Sequence, residues 1–142
     1  GESFVVGYAD GGVELLIANP PSVRRFEETP PSPVERVVPG PSGTVVLGFA
    51  NGDVGMWSAE TGTPLGRMKL HGPVRWVLPR GERIYVASEL GMVGSFDTSH
   101  FSREYCELLR EVWERVPVVW ANGRPEGQRP PEDHRCLESS SD

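Results

Sequence analysis

The side chains able to do chemistry in this chain are three histidines (His71, His100, His134), two cysteines (Cys106, Cys136) and the acidic turn residues Asp10, Asp53 and Asp97. A hydrolase would pair His71 or His100 with a serine, and such a pair needs a nucleophile beside its base and a third group orienting the base. No Gly-x-Ser-x-Gly turn is present, and His71 has no acidic partner at motif spacing, so hydrolysis has the fewest residues behind it. His134 and Cys136 make one His-x-Cys pair, whereas a structural zinc site takes four ligands; no metal and no cofactor is expected. The three aspartates stand in unlike contexts and read as turn formers, and no calcium loop is formed. The glycine-rich run Gly40–Phe49 lacks the Lys-Ser/Thr of a phosphate loop and leads into a strand. Cys106 and Cys136 could pair, but without an export signal they read as reduced thiols of a cytoplasmic protein.

Composition narrows the partners. The formal charge is −6 and the pI about 5.1, opposite to the basic footprint that phosphate binding requires, so no nucleic acid is expected. No apolar run reaches the ~18 residues that cross a bilayer, and no membrane partner is expected. Thirteen arginines against the single Lys69 point to a GC-rich, bacterial genome. Glycine (17) and proline (14) are abundant, which favours short strands and many turns over long helices.

The elements that must position these residues recur. VVGYADGGVELL from Val5 returns as VLGFANGDVGMW from Val46 and as VASELGMVGSF from Val86, with Gly11, Gly52 and Gly91 in one register. PVERVVP from Pro33 recurs as PVRWVLP from Pro73. Asn51-Gly52 between apolar runs marks a tight hairpin. Third segments are predicted over Val23–Glu28 and Leu65–Leu70, and inner strands over Val34–Val38 and Val74–Leu78. A period of about 40 residues built from four strands is the signature of a β-propeller blade. The predicted class is therefore all-β, with four-stranded antiparallel blades of a partial propeller. Copies lie near residues 4–38, 39–78 and 79–97 within a blade region of residues 1–99. Phe4–Tyr8 already matches a second strand, so the first strand of that blade is expected upstream or from another source.

This pattern resembles the WD-repeat β-propeller family over roughly residues 4–97. The best match is MWSAETGTPLGRMKLHGPVRWV, from Met56 to Val77. The resemblance implies a buried hydrogen-bond chain through a loop histidine, a strand hydroxyl, a turn aspartate and a tryptophan. His71 matches the histidine, Ser88 the hydroxyl, and Trp57 and Phe96 the aromatic position. The chain departs from the pattern at Leu16, at Glu89-Leu90 and before Val34, where no histidine stands.

After the repeats the period changes. Tyr105, Leu108, Leu109, Val112, Trp113 and Val116 form one stripe of an amphipathic helix of about 14 residues, with Ser102 as N-cap and Pro117 as stop. Val116–Trp120 reads as a strand. Two placements stay open: helix and strand in residues 100–123 close the third blade's outer edge, or Tyr105, Leu109, Trp113 and Trp120 dock on a partner. Residues 124–142 read as a polar, extended or mobile tail.

The expected function is non-enzymatic: a protein-interaction or regulatory scaffold, the carboxy-terminal propeller portion of a larger multidomain bacterial protein. Its expected partners are the remaining blades, in the same protein or a second chain, and a protein ligand. The alternative is a self-assembling propeller lectin that binds glycans between blades, with Trp57 and Trp76 as pocket walls.

Overall fold

In the computed structural model, which describes residues 2–116, 118–121, 123–127 and 136, three antiparallel sheets follow one another along the chain. Sheet 1 holds β1 (Ser3–Gly7), β2 (Val13–Ala18) and β3 (Pro21–Arg25). Sheet 2 holds β4 (Val34–Pro39), β5 (Thr44–Phe49), β6 (Asp53–Ser58) and β7 (Pro64–Lys69). Sheet 3 holds β8 (Val74–Arg80), β9 (Arg83–Ser88) and β10 (Val93–Asp97). Within each sheet the strands pair in chain order, as an up-and-down meander. Sheet 2 is the complete unit. Sheet 1 lacks an equivalent of β4, and sheet 3 lacks an equivalent of β7 among the described residues.

The sequence of each strand reports how many of its faces are covered. β5 reads TVVLGF and is buried at every position, because sheets flank it on both sides. β9 reads RIYVAS, and its exposed and buried residues alternate until Ala87, as a strand covered on one face requires.

The shared turns rest on glycine. Gly52 has φ 88, and its carbonyl accepts from Leu70 N–H at 2.9 Å. A Cβ there would lie 2.1 Å from the Leu70 carbonyl oxygen, so both backbone angle and space exclude a side chain. Gly11 and Gly91 repeat the left-handed angle, at φ 93 and 82.

Two apolar seams bind the three sheets. Sheets 1 and 2 meet over Val13, Leu15 and Phe26 on one side and Val45, Leu47, Phe49 and Trp57 on the other. Sheets 2 and 3 meet over Val46, Val54, Met56 and Leu70 against Val74, Ile84 and Val86. Each such side chain contributes roughly 1.5–3 kcal/mol when fully buried. Both seams close tightly at an inner-strand valine. A Cβ added to Gly7 would lie 2.5 Å from Val34 Cγ1, and one added to Gly48 would lie 2.5 Å from Val74 Cγ1.

Residues Gly1–Phe101 and Ser102–Asp142 form separate compact units. In the second, α1 spans Tyr105–Arg115, 11 residues, with Glu104 in place of Ser102 at the N-cap. Glu104 is extended while its carbonyl accepts from Leu108 N–H at 3.1 Å, so the first helical turn closes there. Arg103 pairs with Glu107 and Glu111, and Arg115 with Glu111.

The strand expected to complete the third blade does something else. β11 (Val118–Ala121) pairs with β12 (Arg124–Gly127) in a two-stranded sheet of its own. Gly123, at φ 74, follows Ala-Asn in sequence, and a local hairpin closes a far shorter loop than a return across α1. The tail expectation is met differently as well, since β12 occupies its start. Cys136 is buried and forms a disulfide with Cys106, which corrects the reading of both as reduced thiols. The rest of that tail, His134 included, lies outside the described residues.

Candidate interaction faces

Strand alternation gives each sheet two faces, and the repeat makes them comparable. Val5, Gly7 and Val13 of sheet 1 correspond to Val46, Gly48 and Val54 of sheet 2 and to Tyr85, Ala87 and Val93 of sheet 3. In sheets 1 and 2 this face is covered by the next sheet. In sheet 3 it is open. Val13 and Val54 are 2% and 1% exposed, whereas Val93 is 66% exposed. Tyr85 is exposed where Val46 is fully buried. Trp76 and Leu78 of β8 extend this open face, since they pair with Ala87 and Tyr85.

The opposite face behaves in the reverse sense. Phe4 and Leu16 correspond to Val45 and Trp57, and to Ile84 and Phe96. Phe4 is 60% exposed against 6% for Val45 and 1% for Ile84. Register places Phe4, Leu16 and Val23 in one row across sheet 1. Phe4, Val23 and Tyr8 are all exposed.

Polar contacts fix the two filled seams in register. At the first, Trp57 Nε1–H donates to Glu27 O at 2.9 Å, Arg24 donates to Ala59 O at 2.8 Å, and Glu27 N–H donates to Gly62 O at 2.8 Å. Arg67 reaches back to the Glu28 carboxylate and lies over the Trp57 ring, 5.9 Å from its centroid. At the second, Arg75 bonds Glu35 at 3.0 Å and Glu89 at 3.0 Å, while Arg36 Nε donates to the Arg75 carbonyl at 2.6 Å.

Beside the open face of sheet 1, Tyr8, Asp10, Glu14, Arg25 and Phe26 line a cleft of about 410 Å³. Glu14 accepts from the Tyr8 hydroxyl at 2.9 Å and from Arg25 Nε at 2.9 Å. The hydrogen bond to this carboxylate raises the Tyr8 pKa above its ordinary value. At the end of β10, Asp97 accepts from Ser99 N–H at 2.9 Å, and that bond lowers its pKa.

The hydrogen-bond chain implied by the family resemblance is not assembled. Trp57 is fully buried, but its indole N–H goes to Glu27 O. His71 exposes its imidazole, and its backbone N–H donates to Met92 Sδ at 3.3 Å. Ser88 is buried within its own turn, its hydroxyl accepting from Met92 N–H at 3.2 Å. Phe96 packs on the second seam. Burial also removes Trp57 as a glycan-pocket wall, although Trp76 is exposed. His100 packs its ring on Phe101, with centroids 4.3 Å apart.

On α1, Tyr105 and Val112 are exposed and Leu109 and Trp113 half-buried. Trp120 stands in β11 opposite Pro125, and its side chain lies outside the described residues. Among the described residues no group of three His, Cys, Asp or Glu side chains could hold a metal ion, and no helix is long and apolar enough to cross a membrane. Sequence reading missed the Glu14 and Arg75 clusters: Glu14 bonds residues 6 and 11 positions away and Arg75 residues 14 and 40 positions away, at spacings that no motif encodes. The substitution of Ala87 for the glycine of the other copies was legible from the alignment of the turns.

No family model and no curated protein matches the sequence. The chain is similar in structure to the computationally designed Ika4 protein, at 19% identity and TM-score 0.60, over 68% of this chain and 61% of that one. It is similar to a chain of the Mitotic Checkpoint Complex at 21% identity and TM-score 0.55, over 68% of this chain and 29% of that one. BamB from Moraxella catarrhalis matches at 16% identity and TM-score 0.53, over 67% of this chain and 28% of that one. The chain thus spans under two thirds of each of these structures. Together with the meandering antiparallel sheets, these likenesses show the fold to be that of a partial β-propeller.

Proposed function

We propose that the chain is a protein-interaction scaffold, a WD-like propeller portion of a larger multidomain bacterial protein, whose open blade faces receive further blades. The observation that carries this reading is Val93, exposed where its counterparts Val13 and Val54 are buried under the next sheet. An apolar patch in the place of a seam is a contact surface awaiting its partner. The reading is non-enzymatic, with His71 and His100 as surface residues. The Cys106–Cys136 disulfide favours a compartment that does not reduce thiols over the cytoplasm that the sequence predicted.

Photocrosslinking in the native cells tests the reading. A photoreactive residue at Trp76 should give a covalent adduct with a polypeptide that itself carries propeller blades, while one at the polar turn residue Glu60 should not. Equal labelling at both positions, or no adduct at Trp76, would refute it.

A further inference from the structure

We infer that the partner for each open face is a second copy of this chain, joined head to tail, with the Phe4 face of one copy seated on the Val93 face of another. The inference rests on the scaffold reading above and names the blade that it requires. Its basis is that one chain carries both halves of a seam that it already makes twice internally.

At each filled seam the donor face presents the Val5, Gly7 and Val13 set or the Val46, Gly48 and Val54 set. The acceptor face presents Val45, Leu47 and Trp57, or Ile84, Val86 and Phe96. The open face of sheet 3 is the third donor set, and the open face of sheet 1 is the remaining acceptor set. A copy placed by the same operation therefore meets apolar residues at equivalent positions, with Phe4 and Leu16 against Tyr85 and Val93. Such a heterologous contact builds a ring where its rotation closes and an open chain where it does not.

Two details fit this occupant. Ala87 carries the Cβ for which Gly7 and Gly48 have no room, because Val34 and Val74 press on those glycines. The three described strands of sheet 1 bring no such valine to the seam. Glu14, which stands where sheet 2 has Gly55, is already bonded to Arg25 and Tyr8, so covering it strands no lone carboxylate.

The test uses the 142-residue chain and two variants, Phe4→Arg and Val93→Arg, weighed by light scattering after size exclusion. Both positions are exposed, and thermal melting confirms that each variant is folded. The unmodified chain should assemble. Each variant alone should associate about 100-fold more weakly, because its contact would bury an unpaired guanidinium. An equimolar mixture should form a 1:1 dimer, since each variant keeps the face that the other lacks. A monomeric parent chain, an assembly indifferent to both substitutions, or a mixture that stays monomeric overturns the inference. A monomeric parent chain that still crosslinks at Trp76 to a different blade-bearing polypeptide sinks the second copy alone and spares the scaffold reading.

Discussion

Glu35 and Arg75 occupy the same repeat position on the adjacent inner strands β4 and β8, carry opposite charge, and are bonded to each other at 3.0 Å. The repeat would otherwise place like residues side by side. The difference between copies turns that position into an ion pair between neighbouring sheets. Arg75 also holds Glu89, so one guanidinium ties a neighbouring sheet to a turn of its own sheet. In a double-mutant cycle with Glu35→Gln and Arg75→Gln, the coupling should be about 0.5–1 kcal/mol, since both side chains are partly exposed. Urea unfolding at low and high salt measures it. A coupling that does not shrink with salt would mean that the pair acts through packing and that its charges are incidental.

The seam glycines give a sharper contrast. Gly48→Ala puts a Cβ 2.5 Å from Val74 Cγ1 and should cost about 1–3 kcal/mol through overpacking. The double variant Gly48→Ala with Val74→Ala should recover part of that loss. Ala87→Gly, at the same repeat position on the open face, should cost under about 1 kcal/mol, the ordinary penalty of glycine within a strand. Equal losses at Gly48 and Ala87 in the isolated chain would show that something already presses on sheet 3 there.

Much of this arrangement was legible in the residues. The Asn51-Gly52 hairpin and the 40-residue echo predicted the strands of all three sheets to within a few positions, because turn chemistry and alternation are local. What escaped was set by distance. Trp57 bonds a carbonyl 30 residues away, and Arg75 finds Glu35 40 residues away, neither at a spacing that any motif encodes. The chain through His71 is not assembled: the third turn carries Glu89-Leu90 where the resemblance wants an aspartate, and the His71 contact to Met92 is made by its backbone N–H. The partner of Val116–Trp120 was not legible, because its apolar pattern fits any strand partner; β11 pairs with the segment that follows it in sequence.

Two titrating groups make stability depend on pH at the extremes. Folding raises the Tyr8 pKa above 10.0 through its bond to Glu14, so its contribution is complete below pH 10.0 and is lost as the pH climbs through the raised value. Asp97 works the other way. Its bond from Ser99 holds its pKa below 3.8, so its contribution is present above that value and fades as the pH falls through the lowered one. Both groups are exposed, and the effects should be small. In an alkaline titration followed by phenolate absorbance, Glu14→Gln should let the Tyr8 step occur at lower pH, and Tyr8→Phe should delete it. Asp97→Asn should flatten the acid limb of the unfolding midpoint. A Tyr8 step unmoved by Glu14→Gln would show that the hydrogen bond does not form in solution.

The Cys106–Cys136 disulfide should carry the order of α1. The helix has 11 residues and buries none of them, and a helix of that length is marginal in water without tertiary support. The bond joins its first turn to a residue 30 positions on, and Arg110 Nε donates to the Cys136 carbonyl at 3.0 Å one turn later. Closing a loop of that length removes about 3–4 kcal/mol of chain entropy from the unfolded ensemble. Reduction, or Cys106→Ser, should therefore raise amide hydrogen exchange across Tyr105–Arg115 toward that of an unstructured segment. Amides of β5 and β6, held by seams that contain no cysteine, should keep their protection. Protection of α1 that survives reduction would mean that its apolar stripe is held by packing alone, and the disulfide would then be incidental to this helix.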